Sequence, residues 1–348
     1  MTIIETKRKV LIIYTGGTIG MLPSPQGYIP VAGMFTQVMQ SIPAFSHADL
    51  PEWSLLEFDP LLDSSDITYF EWNKIGKTIS DNYEKYDGFV VLHGTDTMAY
   101  SASALSFMLE NLAKPVIFTG SQIPLCELRS DGEMNLINAI SIAASEKVQE
   151  VCLYFDGKLL RGNRSTKMSS DRFSAFESPN APHLANVGIE INYNDNVICS
   201  VKSAAFNFRE LVEAHIAVLK VFPGIQFELF SGIFTKQLRG VILETFGAGN
   251  IPSYATSLLS LLKTASCNGT VIVACSQCTQ GAVNLGTYAV SRPLLDVGVV
   301  NGQDMTTEAA ITKLHYLFSC DLTSDQIKCE MEHNLRGELT EPTLEHYA

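Results

Sequence analysis

The feature that most constrains this chain is a unit that recurs along it: an apolar run rich in β-formers, a glycine-bearing turn, then a stretch with helical spacing. Val10-Leu11-Ile12-Ile13-Tyr14 leads into Thr15-Gly16-Gly17-Thr18, and Gly88-Phe89-Val90-Val91-Leu92 leads into His93-Gly94-Thr95-Asp96. Apolar residues from Ala99 to Leu109 then repeat with a helical period. Pro115–Thr119 and Val151–Phe155 are two further runs, with a helical stretch from Met134 to Ala144 between them. Uninterrupted apolar runs of this length suit strands buried on both faces, so the pattern predicts an α/β fold with helices covering mostly parallel sheets.

The alternation fades into mixed polar residues around Asn192-Tyr193-Asn194-Asp195-Asn196 and resumes with Ile216–Val221, the turn Pro223-Gly224, Val241–Phe246, a helix over Tyr254–Lys263 and Thr270–Ala274. Two helical segments close the chain, near Thr307–Phe318 and Ser324–Asn334. A chain of 348 residues exceeds the length at which one core stops growing. The expectation is therefore a larger N-terminal catalytic α/β domain over 1–195, a linker over 196–214 and a smaller C-terminal α/β domain over 215–348.

Charge narrows the partners. The 37 acidic and 24 basic residues leave a net charge of −13, which repels nucleic acid and anionic membranes unless a basic patch reverses it. Lys7-Arg8-Lys9 is the sole basic cluster, and it reads as a solvated gatekeeper before the first strand. Val10–Tyr14 is too short for a signal-peptide core and no apolar run reaches the roughly 20 residues needed to cross a bilayer, so the chain is expected in the cytoplasm. The eight cysteines lack the spacing of a disulfide scaffold. Cys275-Ser276-Gln277-Cys278 is a lone C-x-x-C without a second pair, read as strand-end packing rather than a metal site. No metal and no cofactor is expected.

In parallel α/β sheets ligands bind beyond the carboxyl ends of the strands, which directs attention to the two similar turns. Each sets glycine beside threonine, so a substrate can approach backbone and hydroxyl together. A phosphate site fits poorly, because Gly16-Gly17-x-x-Gly20 lacks the G-x-G start and no Gly-Lys-Ser/Thr loop is present. A threonine hydroxyl needs an adjacent base to act as a nucleophile. His93 stands in the second turn, where its strand-end place favours a structural role. A partly desolvated lysine also serves, yet residue chemistry alone does not single out Lys167 from a solvated loop lysine.

Several motifs in one order do single it out. Tyr14-Thr15-Gly16-Gly17-Thr18-Ile19-Gly20, His93-Gly94-Thr95-Asp96-Thr97-Met98-Ala99-Tyr100, Thr119-Gly120-Ser121-Gln122 and Arg161-Gly162-Asn163-Arg164 together resemble the bacterial-type L-asparaginases, most of all their cytosolic type I branch. The likeness runs over nearly the whole chain, down to Asn334-Leu335-Arg336-Gly337-Glu338.

The resemblance implies that Thr18 is the nucleophile, forming an acyl-threonine ester that water hydrolyses, with Tyr28 on a mobile loop orienting it. It implies a second catalytic set of Thr95, Asp96 and Lys167. Asp63, Ser64 and Ser65, with Thr95 and Asp96, would hold the substrate's α-amino and α-carboxylate groups, and Ser121 would line the pocket near the amide. Which threonine attacks first is left open. Homodimers or dimers of dimers are implied, with Asn250 in a segment contributed across an interface. Some type I members carry a regulatory asparagine site, where Thr166 and Cys278 would flank an arginine; here that place holds Glu244, which implies lost or altered regulation. The alternatives are an amidase or glutaminase of the same fold acting on another substrate, and a non-catalytic amino-acid sensor.

Overall fold

The computed structural model describes residues 7–199, 204–286 and 289–341. Part of the expected linker, 200–203, and the end of the expected C-terminal domain, 342–348, lie outside the described residues. The chain divides into two compact units, Met1–Glu210 and Leu211–Ala348.

The first unit is built on an eight-stranded sheet, in spatial order Ile191–Tyr193, Ala185–Val187, Lys158–Arg161, Val151–Phe155, Val116–Thr119, Gly88–Leu92, Lys9–Gly16 and Glu52–Leu62. The five strands from Val151–Phe155 to Glu52–Leu62 pair in parallel, and the remaining three are antiparallel. Val10 to Tyr14 are at most 3% exposed, as continuous apolar runs covered on both faces require. Lys9–Gly16 lies between Glu52–Leu62, which follows it in sequence, and Gly88–Leu92, which follows next. Chain order therefore reverses at this strand, which makes its carboxyl end a switch point where a crevice opens.

Two helices of this unit matter for the site. Tyr69–Asn82 begins at a Thr68/Glu71 capping box and buries Trp72, Ile75 and Ile79. In Met98–Met108 every residue but Tyr100 is buried, and its alanines and serines allow close packing on all sides. The sequence pattern leaves Glu52–Leu62 unassigned. That strand is at the sheet edge with only Phe58 buried and carries Glu57 and Asp59, so it lacks the apolar signal of its neighbours.

The second unit has a four-stranded parallel sheet in simple chain order, Ile216–Lys220, Gly240–Thr245, Val271–Ser276 and Val299–Asn301. Helices Thr256–Cys267, Thr307–Phe318 and Ser324–Glu332 belong to it. Lys313 and Glu338 are fully buried and paired at 2.7 Å, and the Leu335 and Arg336 N–H groups also donate to Glu338, so neither charge is left uncompensated.

Candidate active site

Three turns meet at the carboxyl ends of the parallel strands. Gly17 has φ +90°, and a Cβ there would lie 2.5 Å from Gly94 N. A Cβ on Gly94 would lie 2.4 Å from Ser64 Oγ. Glycine at 17 lets the first two turns touch backbone to backbone, and glycine at 94 leaves room for the Ser64 side chain of the third.

Each of the two similar turns carries two threonines with divided duties. Thr15 Oγ1 donates to Leu92 O at 2.8 Å, and Thr97 Oγ1 donates to Ser64 O at 2.6 Å, so both of these hydroxyls tie one turn to the next. Thr18 and Thr95 instead line a cavity of about 310 Å³. Asp63, Ser64, Asp96 and Lys167 line it too, as do Met21, Gln122 and Ser170.

Lys167 is delivered by a two-residue strand, Thr166–Lys167, paired antiparallel with Phe176–Glu177. Its Nζ stands 2.8 Å from Thr95 Oγ1 and 2.8 Å from Asp96 Oδ1. The lysine side chain is 19% exposed and the Asp96 side chain 70%, so the amine is partly shielded while its carboxylate partner faces solvent. Thr95 Oγ1 lies 3.4 Å from Gln122 Oε1 on its other side. Asp63 caps the short turn Ser64–Asp66: the Ser65 N–H and Ser65 Oγ–H both donate to Asp63 Oδ1 at 2.9 Å. These two donors hold the Asp63 carboxyl below the usual carboxylate range, the backbone one contributing most. It is an ionised acceptor at neutral pH.

Three expected residues do not line this cavity. Tyr28 is 49% exposed and donates to Glu127 Oε1 at 2.9 Å, a bond that raises its phenol above the ordinary value. Ser65 is exposed and is occupied in bonding Asp63. Ser121 is buried, and its hydroxyl donates to Ile123 O at 2.6 Å. Its neighbour Gln122 takes the lining place, held by its backbone N–H donating to Asp131 and by Nε2 donating to Arg172 O at 3.0 Å. The motif Thr119–Gln122 contains the lining residue, but nothing in its sequence says which of Ser121 and Gln122 faces inward. Ser170 carries no sequence signal at all.

The four residues grouped for an interface or effector site divide between the units. Thr166 is the strand neighbour of Lys167 in the first. In the second, Glu244 accepts from Thr307 Oγ1 at 2.7 Å and lies 3.4 Å from Lys220 Nζ. Asn250 closes the turn after Gly240–Thr245, its N–H donating to Phe246 O at 2.8 Å, so its glycine-rich surroundings are a strand-end turn. Cys278 is exposed, whereas Cys275 is fully buried and its thiol is pushed up to about 12 by that burial. Among the described residues no cluster of His, Cys, Asp or Glu is arranged to hold a metal, and no helix is long and apolar enough to cross a membrane.

Comparison with known proteins identifies the family of both units. The asparaginase N-terminal family model matches residues 9–199, and the glutaminase/asparaginase C-terminal domain matches residues 215–331. L-asparaginase 1 of Escherichia coli K12 is 46% identical over 334 residues, 96% of this chain and 98% of its own length. The crystal structure of L-asparaginase I from Vibrio cholerae O1 biovar eltor has a TM-score of 0.89 at 47% identity, covering 97% of this chain and 100% of the other. One chain of the glutamyl-tRNA(Gln) amidotransferase of Pyrococcus abyssi is 32% identical over 95% of this chain and 77% of that longer relative. With both domains matched in order and a relative of 46% identity aligned over almost the full length, the chain belongs to the asparaginase family.

Proposed function

We propose that this protein is an amidohydrolase that converts L-asparagine to L-aspartate and ammonia, with the first unit as its catalytic domain. The observation that carries the reading is Lys167 Nζ at 2.8 Å from both Thr95 Oγ1 and Asp96 Oδ1, on the wall of the cavity that Thr18 also lines. A threonine hydroxyl attacks the side-chain amide carbon, the tetrahedral intermediate expels ammonia, and water hydrolyses the acyl-threonine ester. The 2.8 Å spacing places the Lys167 amine to relay a proton between the Thr95 hydroxyl and the leaving nitrogen. Asp63 and Asp96 supply acceptors for the substrate ammonium, and the Gly94–Thr95 backbone supplies donors for the developing oxyanion.

A cavity of about 310 Å³ stands at the small end of ligand pockets, which run from about 300 to 1,000 Å³, and so suits a free amino acid. That size disfavours a large substrate of the kind named for the Pyrococcus relative. A sensor would have no use for a hydroxyl held against an amine. A cytoplasmic location and assembly as homodimers or dimers of dimers belong to the same proposal, by likeness to the type I branch.

Steady-state ammonia release from asparagine and from glutamine tests it: turnover of asparagine in clear excess is expected, and absence of turnover on both overturns it. The same rate curve reads regulation. A second asparagine bound near Glu244 would meet a carboxylate where its own carboxylate needs a cation, so the curve is expected to be hyperbolic. A sigmoidal curve would show that a regulatory site persists.

A further inference from the structure

His93 is 1% exposed and has a polar partner at each ring nitrogen. Nε2 is 2.8 Å from Ser101 Oγ, and Nδ1 is 2.7 Å from Gly94 O. Trp72 Nε1 closes the far end, donating to Ser101 Oγ at 2.9 Å. An indole N–H only donates and a carbonyl only accepts, which fixes the two outer bonds, and a serine hydroxyl that accepts from the indole still has its own proton to donate to Nε2. Trp72 donates to Ser101, the Ser101 hydroxyl donates to His93 Nε2, and His93 Nδ1–H donates to Gly94 O. These bonds suit a neutral ring in a single tautomer, with its proton on Nδ1. Burial favours the same state, pushing the imidazole down to about 4 against the smaller opposing effect of Gly94 O.

The chain of bonds joins three elements. Trp72 belongs to the helix Tyr69–Asn82, Ser101 to the helix Met98–Met108, and His93 follows the strand Gly88–Leu92. What they grip is the carbonyl of Gly94, a residue that lines the cavity. A peptide group is planar and trans, so Gly94 C=O and the Thr95 N–H of the same unit point in opposite directions. With the carbonyl held on the buried side by His93, the Thr95 N–H faces away from the core, where Gly94 and Thr95 line the cavity. That N–H meets no acceptor among the described residues.

We infer that His93, set by Ser101 and Trp72, is a positioning residue for hydrolysis: it locks the Gly94–Thr95 peptide so that the Thr95 N–H is aimed at the amide oxygen as that oxygen gains charge. The inference rests on the hydrolase reading above. It assigns His93 neither proton transfer nor substrate contact. A misaligned donor costs rate in the transition state and leaves ground-state binding intact, and loss of one oxyanion donor lowers kcat by about 10²- to 10³-fold.

The test compares His93→Leu, which removes the donor, with His93→Asn, whose side-chain amide offers an N–H near the place of Nδ1. Both lose the bond from Ser101, so a role in folding alone affects them alike. Expected are a fall of about 100-fold in kcat for His93→Leu with KM unchanged, and a kcat for His93→Asn within about tenfold of wild type. Equal losses in the two variants, or wild-type kcat in folded His93→Leu, overturn the inference. Should His93→Leu fail to fold, Ser101→Ala frees the ring from its single tautomer and is expected to lower kcat by about tenfold, whereas unchanged kcat there overturns the inference as well. Ammonia release by the unmodified protein tests the hydrolase reading separately, so failure of that reading is distinguishable from failure of this one.

Discussion

In the turn after Gly88–Leu92, Thr95 stands between Lys167 Nζ at 2.8 Å and Gln122 Oε1 at 3.4 Å, with His93 gripping the preceding carbonyl and Thr97 bonded to Ser64 O. In the turn after Lys9–Gly16, Thr18 begins a three-residue 3₁₀ turn and its hydroxyl has no partner among the described residues. That chain then enters the hairpin Met21–Ser24 and Gly27–Pro30, whose second strand is exposed throughout. Similar sequences at similar strand ends have thus produced one hydroxyl with two bonding partners and one with none among the described residues. The difference arises from what lies behind each turn: the buried helix Met98–Met108 and the buried face of Tyr69–Asn82 support Thr95, and a solvent-facing hairpin follows Thr18.

The largest effects should come from the hydroxyls themselves. Thr18→Ala and Thr95→Ala are each expected to lower kcat at least about 10⁴-fold while leaving the fold intact, as removal of one member of a concerted catalytic group does. Circular dichroism checks the fold, and acid-quenched enzyme analysed by peptide mass spectrometry checks which threonine carries the acyl group. An adduct on the peptide containing Thr18 sharpens the contrast, since Thr18 is then the nucleophile and Thr95 serves proton transfer. An adduct on Thr95 breaks it.

The same contrast explains which parts of the molecule are legible in the sequence. The parallel strands are readable because burial on both faces demands uninterrupted apolar runs, as in Val10–Tyr14 and Gly88–Leu92. Glu52–Leu62 is not, because an edge strand needs apolar residues on only part of its surface. The short antiparallel strands Lys158–Arg161 and Ala185–Val187 are set by pairing with neighbours, which leaves little local signal. Both glycine–threonine turns stand out by residue type. Lys167 does not, since its place depends on a two-residue pairing with Phe176–Glu177 and a contact with Thr95 72 positions away, so only likeness to a family identifies it. The resemblance implies Ser121 and the cavity is lined by its neighbour Gln122, because the turn after Val116–Thr119 is shaped by Asp131 from beyond the motif.

The rigidity of the second turn has a signature in acid. His93 titrates at about 4 in the folded chain against 6.5 for the ordinary group. Between those values the unfolded chain binds a proton that the folded chain refuses, so this group's contribution is complete above pH 6.5 and declines as pH falls toward 4. The loss across the window is on the order of 3 kcal/mol. His93→Asn does not titrate there, so its urea-unfolding free energy should fall less between about pH 7 and pH 4.5 than that of the unmodified protein. Parallel pH dependence in the two proteins would mean that the ring protonates freely and that the second turn is looser than its bonds imply.

The smallest effects should lie in the hairpin. Tyr28 is outside the cavity at rest and is tied to Glu127 Oε1 at 2.9 Å, so a role beside Thr18 requires that bond to break and the hairpin to swing inward. Tyr28→Phe removes the hydroxyl from both positions and should lower kcat by about fivefold, the rate equivalent of one ordinary hydrogen bond. Glu127→Gln weakens only the resting tie and should raise kcat/KM, by no more than the same factor. Steady-state kinetics on asparagine separates the cases. Opposite signs for the two variants would show that the first turn is completed by movement of the hairpin. Equal losses would place the Tyr28–Glu127 pair in the working conformation, and Thr18 would then act without the tyrosine beside it.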